Sequence, residues 1–461
     1  MTHKGPSTTL LLLTLFLTAS AVASTTWYVN GVSGSNTNSC LSATTPCKSI
    51  QRAISLAASG DSILVAVTTY KEHLTIGRSL TIAGSGGSPV VDGGSVNTVV
   101  TVSNTSAHVT LSRLTISHGA PTGSVAGGGI INRGILRLNG VHITGNRACA
   151  GGGIYNTGVL VINTSTISGN GAHQVNLCSF GAGIANTGTL TLNRSTISGN
   201  TVSGTSGTTG YAFGGGIYNS DSGTLTINNS TITGNVATAG TGTSISPRGG
   251  GIYNSTSGKL AVNNSTISRN GARVGGNIYG PVTLQNSIVA NSVTGGNCLG
   301  AVASHGYNLS SDSTCKLNST GDMINTDPIL GSLQNNGGPT QTMALPQGSP
   351  AVDAGNPSGC TDSLGHLLKT DQRGKPRPDA EDTAGCDIGA YEYQGAPLPV
   401  GHCVFVCGST RCGMLTGYCI GSVNGACRKT FEPTQCPVGK PAGGFGSSCG
   451  QSIDTTRTCT P

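Results

Sequence analysis

Between residues 127 and 291 apolar side chains recur two apart, and the recurrence itself repeats. The stretch GGGIYNTGVLVINTSTISGN at 151–170 returns nearly unchanged at 181–200 and, with two extra residues, at 214–235 and 249–270. Aligned on the opening glycines, the copies give a column of Leu136, Leu160, Leu190, Leu225 and Leu260. Two places on stand Leu138, Ile162, Leu192, Ile227 and Val262, and later Ile143, Ile167, Ile197, Ile232 and Ile267. The residue between the first two columns varies and is often polar (Arg137, Val161, Thr191, Thr226, Ala261). A period of two is that of a strand with one buried face, not of a helix. Each unit closes on Gly-Asn (Asn146, Asn170, Asn200, Asn235) or Arg-Asn (Asn270), which predicts a turn because Gly and Asn tolerate positive φ. Another column, Asn139, Asn163, Asn193, Asn228 and Asn263, predicts a ladder of stacked amides. Repeats of this length predict a solenoid of parallel strands. One coil buries about four aliphatics, such as Ile154, Leu160, Ile162 and Ile167, and leaves two edges unpaired, so neighbours and end caps are required.

A cap is predicted at 27–60. Thr45-Pro46 reads as an N-cap with proline at the first helical place; Ile50, Ala53, Ile54 and Ala57 form one apolar face, and Gly60 stops the helix. With the segments WYVN, PCKSIQRAI, GDSILVA and TYKEHLTI, most of residues 27–390 resembles the right-handed parallel β-helix proteins of the pectate-lyase-like class. The resemblance implies an all-β fold, a right-handed parallel β-helix solenoid over 24–394 with an N-terminal capping helix. The segment DPILGSLQNNGGPTQTMALPQGSPAVDAGN, followed by DQRGKPRP and CDIGAYE, makes residues 327–393 similar to the choice-of-anchor Q domain of exported bacterial β-helix proteins. Units opening GG(G/A)I and closing S-G-N also resemble the polymorphic outer-membrane adhesins, although the stretch after Tyr393 is too short for their membrane barrel.

Residues 1–23 have the layout of a signal peptide: Lys4, an apolar run from Leu10 to Ala19, and Ala21-Val22-Ala23 before cleavage at Ser24. No later segment has the eighteen or so apolar residues of a transmembrane helix. Export makes the sixteen cysteines disulfides rather than thiols. The expected pairs are Cys40 with Cys47, Cys149 with Cys178, Cys298 with Cys315, and Cys360 with Cys386. After a linker at 395–402, residues 403–461 carry Cys403, Cys407, Cys412, Cys419, Cys427, Cys436, Cys449 and Cys459, a small disulfide-rich module of open connectivity.

Composition then limits the chemistry. Aromatics are 4% and charged residues 9% of the chain, and between Asp92 and Asp312 there is one acid, Asp221. Relatives of the pectate-lyase-like class cut acidic polysaccharides with paired carboxylates, or with calcium held by clustered Asp beside a Lys or Arg base. Both designs need neighbouring acids, so a carboxylate dyad within the repeat is excluded. Eight of the seventeen acids lie between Asp353 and Glu392. Among them Arg373 and Arg377 are expected to form ion pairs, and Asp379, Glu381 and Asp382 could take calcium; no other cofactor is implied. His118 occupies a turn position and His142 an exposed strand position.

The spacers after each closing Asn run from 4 residues (147–150) to 13 (201–213 and 236–248), and in a solenoid such insertions often form the binding side. Arg147, Arg248 and Arg273 fall in spacers and could form a basic strip for an acidic polysaccharide, or serve as scattered solubilising charge on a chain of net charge +7. Basic residues are dispersed and no nucleic-acid-binding fold is present. The expectation is a secreted or cell-surface, non-catalytic protein that binds glycan or mediates adhesion. The alternative is a polysaccharide lyase or hydrolase, which as a lyase needs Arg133, Arg137 or Arg147 beside acids.

Overall fold

The computed structural model describes residues 24–123, 126–173, 179–204, 211–239, 246–379 and 385–395, and the backbone of 403–407 and 415–419. In a typical coil Ile154–Asn156, Val159–Asn163 and Thr166–Ser168 occupy three successive sides. Each pairs in parallel with its counterpart in the next unit, so that Leu160 faces Leu190, Ile162 faces Leu192 and Ile167 faces Ile197. Among the described residues the sides form parallel sheets of eleven, nine and ten strands. The first sheet runs from Thr26–Val29 to Val302–Ser304, the second from Leu74–Ile76 to Cys298–Leu299, and the third from Thr69–Lys71 to Leu309–Ser310. This is a right-handed parallel β-helix. All three aliphatic columns point inward and are buried, each side chain contributing about 1.5–3 kcal/mol.

The turns separate the two halves of the Gly-Asn signal. Gly145, Gly169, Gly199 and Gly234 take φ of 61° to 67°, and His118, Arg269 and Asn291 adopt the same left-handed conformation in their own coils. The Asn that follows is not the turn residue. Asn146, Asn170, Asn200, Asn235 and Asn270 are buried and linked amide to amide at 2.9–3.0 Å. Each also donates to the chain of a neighbouring coil, as Asn200 does to the Ile167 carbonyl. A second ladder joins Asn132, Asn156, Asn186, Asn219 and Asn254 at 2.7 Å per step. The column through Asn139, Asn163, Asn193, Asn228 and Asn263 forms a third, at 2.9–3.1 Å. Buried corner backbone that no strand satisfies thus finds side-chain partners.

Two expectations change. The capping helix is Ile50–Leu56 and its N-cap is Ser49, whose hydroxyl accepts from Arg52. Thr45 cannot cap it because Cys47, bonded to Cys40, is drawn into the first sheet, donating to the Tyr28 carbonyl at 2.8 Å and accepting from Asn30. Glu72 instead receives the Ile50 and Gln51 N–H groups at the helix start. The spacers, in turn, do not leave the solenoid at once. Arg147–Ala148, Gly171–His173, Thr201–Ser203 and Val236–Thr238 pair into a fourth parallel sheet. Its small side chains Ala172, Val202 and Ala237 pack with Ala182, Ala212 and Ala272 in a second, minor core.

Beyond the last coil the chain returns along the third sheet. Gln372 donates to Thr196 Oγ1 at 2.9 Å and accepts from Thr231 Oγ1 at 2.6 Å; Asn229 donates to the Thr370 carbonyl. Thr196, Thr231 and Thr266 are therefore buried, while His142 in the same column is exposed. Arg373 pairs with Asp371 at 2.7 Å, as expected within the acidic stretch, whereas Arg377 pairs with Glu392 at 2.6 Å and bonds Asn229 Oδ1 at 2.8 Å. The late acids tie the returning segment to itself and fix Arg377, which with Gln372 and Thr370 meets the coils.

Candidate functional site

Two outward columns on neighbouring strands meet on one side of the later coils. The second sheet presents Tyr155, Ala185, Tyr218, Tyr253 and Tyr279 at equivalent positions. One residue ahead of each opening glycine, Ala150, Phe180, Phe213, Arg248 and Val274 bridge in parallel. Its three middle members, Phe180, Phe213 and Arg248, each lie against the tyrosine of the following coil. Phe180 meets Tyr218 at 5.0 Å between ring centroids, Phe213 stacks on Tyr253 at 4.5 Å, and the Arg248 guanidinium lies 5.0 Å from the Tyr279 ring. The tyrosines also stack on one another, 5.3 Å from Tyr218 to Tyr253 and 5.0 Å from Tyr253 to Tyr279. Arg248 is 5.6 Å from the Phe213 ring and donates to the Tyr279 hydroxyl at 3.0 Å. Tyr211, 45% exposed, lies 5.3 Å from Phe213 and closes the cluster at its outer side.

Six of the chain's eighteen Phe, Tyr and Trp residues gather here, half-buried except for Tyr211. Burial pushes the Tyr253 hydroxyl above its ordinary pKa, helped by Tyr218 and Tyr279 and opposed by Arg248, so it remains a neutral hydrogen-bond donor. Among the described residues Arg248 has no carboxylate partner. The flank therefore offers hydroxyls, ring edges and one cation without a carboxylate partner among the described residues.

The five basic residues singled out do not form one strip. Arg133, Arg137 and Arg147 are all exposed but stand on different sides of one coil: a turn, the outward face of the first sheet, and the fourth sheet. Arg147 heads the column that continues through Gly171, Thr201 and Val236, separate from the Arg248 column. Arg273 is exposed one residue before Val274. None of the five forms an ion pair among the described residues. Of the expected strip, Arg248 lies in the aromatic cluster and Arg273 stands on the next coil, one residue before Val274, which bridges Arg248. On the first sheet a shallow groove is lined by Thr224, Thr226, Lys259, Ala261 and Thr283, with no acid among its walls.

His118 fills a left-handed turn position, as expected, and also meets an acid. Its Nδ1 lies 3.0 Å from Asp92 Oδ2, giving an exposed pair at the third sheet's early coils. Burial acts to raise the Asp92 carboxyl, but the Gly94 N–H and His118 outweigh it and hold the group below the usual carboxylate range. No group of three or more His, Cys, Asp or Glu that could hold a metal occurs among the described residues. Asp379 accepts from the Gly395 N–H at 2.9 Å, and Glu381 and Asp382 lie outside the described residues. Disulfides join Cys40 to Cys47, Cys298 to Cys315, and Cys360 to Cys386. Cys149 is disulfide-bonded, while its expected partner Cys178 lies outside the described residues. Of the C-terminal module, Cys403–Cys407 and Leu415–Cys419 pair as antiparallel strands; Cys412, Cys427, Cys436, Cys449 and Cys459 lie outside the described residues, as do residues 1–23.

No family model matches the chain, and no curated protein sequence matches it. Solved structures similar to it include a pectate lyase, 14% identical with a TM-score of 0.45, over 81% of this chain and 98% of that one. A rhamnogalacturonan lyase is 13% identical with a TM-score of 0.34, over 68% and 92%. The pectin methylesterase of Aspergillus niger is 14% identical with a TM-score of 0.31, over 64% and 89%. The fold rests on the strand register given above rather than on these likenesses. Among the described residues no helix is long and apolar enough to cross a membrane.

Proposed function

We propose that this chain is an exported, surface-associated protein that binds acidic glycan through the flank formed by Phe213, Arg248, Tyr218, Tyr253 and Tyr279, and does not cleave it. The observation that carries the reading is the gathering of a third of a scarce residue class, with an arginine that has no acidic partner among the described residues, on one side of a solenoid otherwise faced with Ser, Thr and Asn. Aromatic and arginine side chains are the usual anchors of binding surfaces. Lack of acids along the coils favours an anionic ligand, because no fixed negative charge repels it. The resemblance of 327–393 to choice-of-anchor Q and the cysteine-rich module at 403–461 support attachment to a cell surface. The disulfides support an extracellular setting.

The rival reading, a polysaccharide lyase, needs a base beside a carboxylate or calcium site; Arg133, Arg137 and Arg147 have no such neighbour among the ion pairs of the described residues. The test is isothermal calorimetry of the mature chain against polygalacturonate, alginate and a neutral glucan, with new chain ends assayed in the same mixtures. Binding of an acidic polymer without new ends, weakened about tenfold in Arg248→Gln, is expected; that factor corresponds to one charge-assisted contact. Unsaturated chain ends that appear with calcium would establish the lyase instead.

A further inference from the structure

The three long sheets end differently behind the last coil. The third, at Leu309–Ser310, is closed by Met323: the Ser310 N–H donates to the Met323 carbonyl at 2.8 Å, and the Met323 N–H to the Asn308 carbonyl at 2.7 Å. The second, at Cys298–Leu299, gives the Cys298 N–H to Thr314 Oγ1 at 3.0 Å and is clipped by the disulfide to Cys315. The front of the first sheet is closed as well, because the Tyr28 N–H donates to the Cys40 carbonyl and the Tyr28 carbonyl accepts from Cys47, both at 2.8 Å. The rear strand of that sheet, Val302–Ser304, is left open.

Its register identifies the free groups. Val302 lies opposite Val282, Ala303 opposite Thr283 and Ser304 opposite Leu284. The Val282 N–H donates to the Ala301 carbonyl, and the Leu284 carbonyl accepts from His305. The backbone of Ala303 between them therefore faces the sheet, and the N–H and carbonyl groups of Val302 and Ser304 point away from it. Ser319 Oγ donates to the Ser304 carbonyl at 2.7 Å. The Val302 N–H, the Val302 carbonyl and the Ser304 N–H have no hydrogen-bond partner among the described residues.

An edge of this kind is a template for another strand, and folded proteins blunt it with charge, proline or a bulge. Residues 300–304, Gly-Ala-Val-Ala-Ser, contain neither charge nor proline, and the register has no bulge. Gly300, Ala301 and Ala303 are exposed. Two features point to a second copy of the chain rather than a foreign segment. The last two strands of the sheet, Val282–Gln285 and Val302–Ser304, carry no charge, although the chain as a whole is at +7. Two copies can meet here without like charges facing each other. The edge is also self-complementary, because Val302 presents a donor and an acceptor side by side. Two antiparallel Val302 residues exchange both bonds as a hydrogen-bonded pair.

We infer that Val302–Ser304 is an interface between two copies of this chain, paired antiparallel about a two-fold axis at Val302. The Ser304 N–H of each copy comes opposite Gly300 of the other. The same patch serves both copies, so the assembly closes at two and the first sheet runs on from one solenoid into the next.

Sedimentation velocity of the full mature chain over a concentration series tests this. The mass is expected to move from one chain to two and no further. Val302→Pro removes an N–H that does not serve the sheet, at a place where edge strands accept proline. Both bonds across the axis are lost, and dimerisation should weaken about thirtyfold. In the pair the two Ala303 side chains share a face as diagonal neighbours ~7–8 Å apart. Ala303→Lys or Ala303→Glu alone should therefore weaken dimerisation about fivefold, and an equimolar mixture of the two should restore it. That recovery separates charge pairing across the axis from misfolding, and the Ala303 variants decide the matter if Val302→Pro does not fold. A chain that stays monomeric at every concentration overturns the inference. So does a dimer that all three variants leave unchanged, or growth beyond two copies.

Discussion

Replacing Asn200 with Leu keeps the branched outline of the side chain and removes an amide that is fully buried. In the native coil its Oδ1 accepts from the main-chain N–H and the Nδ2 of Asn170, both at 3.0 Å. Its Nδ2 donates to the Ile167 carbonyl at 3.0 Å and to Asn235 Oδ1 at 2.9 Å. After substitution the Asn170 side chain keeps its bonds to the Ile143 and Ser168 carbonyls, and Asn235 Oδ1 keeps the Asn200 main-chain N–H. The groups left without these partners are the Asn170 N–H and the Ile167 carbonyl. Each buried orphan costs about 1–3 kcal/mol, so the loss is about 2–6 kcal/mol, a large share of the 5–15 kcal/mol typical of a folded domain. Asn163→Leu, in the half-buried ladder, removes Asn163's bond to Asn139 and its acceptance from Asn193 without orphaning a main-chain group seen to depend on it, and should cost about 1 kcal/mol. Guanidinium unfolding followed by circular dichroism, with amide exchange to locate the opening, measures both. Equal losses in the two variants, or a loss below about 1 kcal/mol for Asn200→Leu, would refute the claim that the corner amides serve the backbone.

Other perturbations address separate parts of the molecule. Gly215→Ala should prevent normal coil stacking, because its Cβ would come within 2.5–2.6 Å of the Gly250 carbonyl and Val236 backbone; Gly199→Ala, with open space but φ of 61°, should cost only about 1 kcal/mol, and expression yield with thermal melts distinguishes them. Asp92→Asn should destabilise slightly at neutral pH: the native carboxyl titrates below its unfolded value, so its contribution is full above about pH 4 and fades as pH falls through the folded value. A pH series of melts in which the deficit grows on acidification would contradict that sign. Opening Cys360–Cys386, which bridges 26 residues of the returning segment, should cost about 3.5 kcal/mol in the chain-entropy account and expose 333–393 to limited proteolysis before the coils.

The sequence made the inward columns legible because period two admits one interpretation once five copies agree, and Leu136 to Ile267 are indeed buried. The Asn139 ladder followed from identical residues in register. The other two ladders share that signature but were obscured: Asn146 follows a glycine and so reads as a turn, and Asn132 is the last residue of a strand only three residues long. The cap placement failed at Thr45 because pairing of Cys47 with the first sheet overrode a local N-cap and proline signal. The flank was missed for a different reason. A 4% aromatic content averages over the chain, whereas Phe180, Phe213 and Arg248 occupy one aligned column, the residue before the opening glycine, with the tyrosines five residues on. Contacts such as Gln372 with Thr196 join residues 176 apart, and no periodicity foretells them.

Those distant contacts bear on the order in which the molecule can be assembled. Each coil pairs with the one before it, so a chain emerging N-terminus first can add coils onto the cap as they appear. Thr196, Thr231 and Asn229 must wait for Gln372, Thr370 and Arg377. The third side of the middle coils thus remains wet until nearly the whole solenoid has emerged, and the last sixty or so described residues act as a latch that shuts behind it.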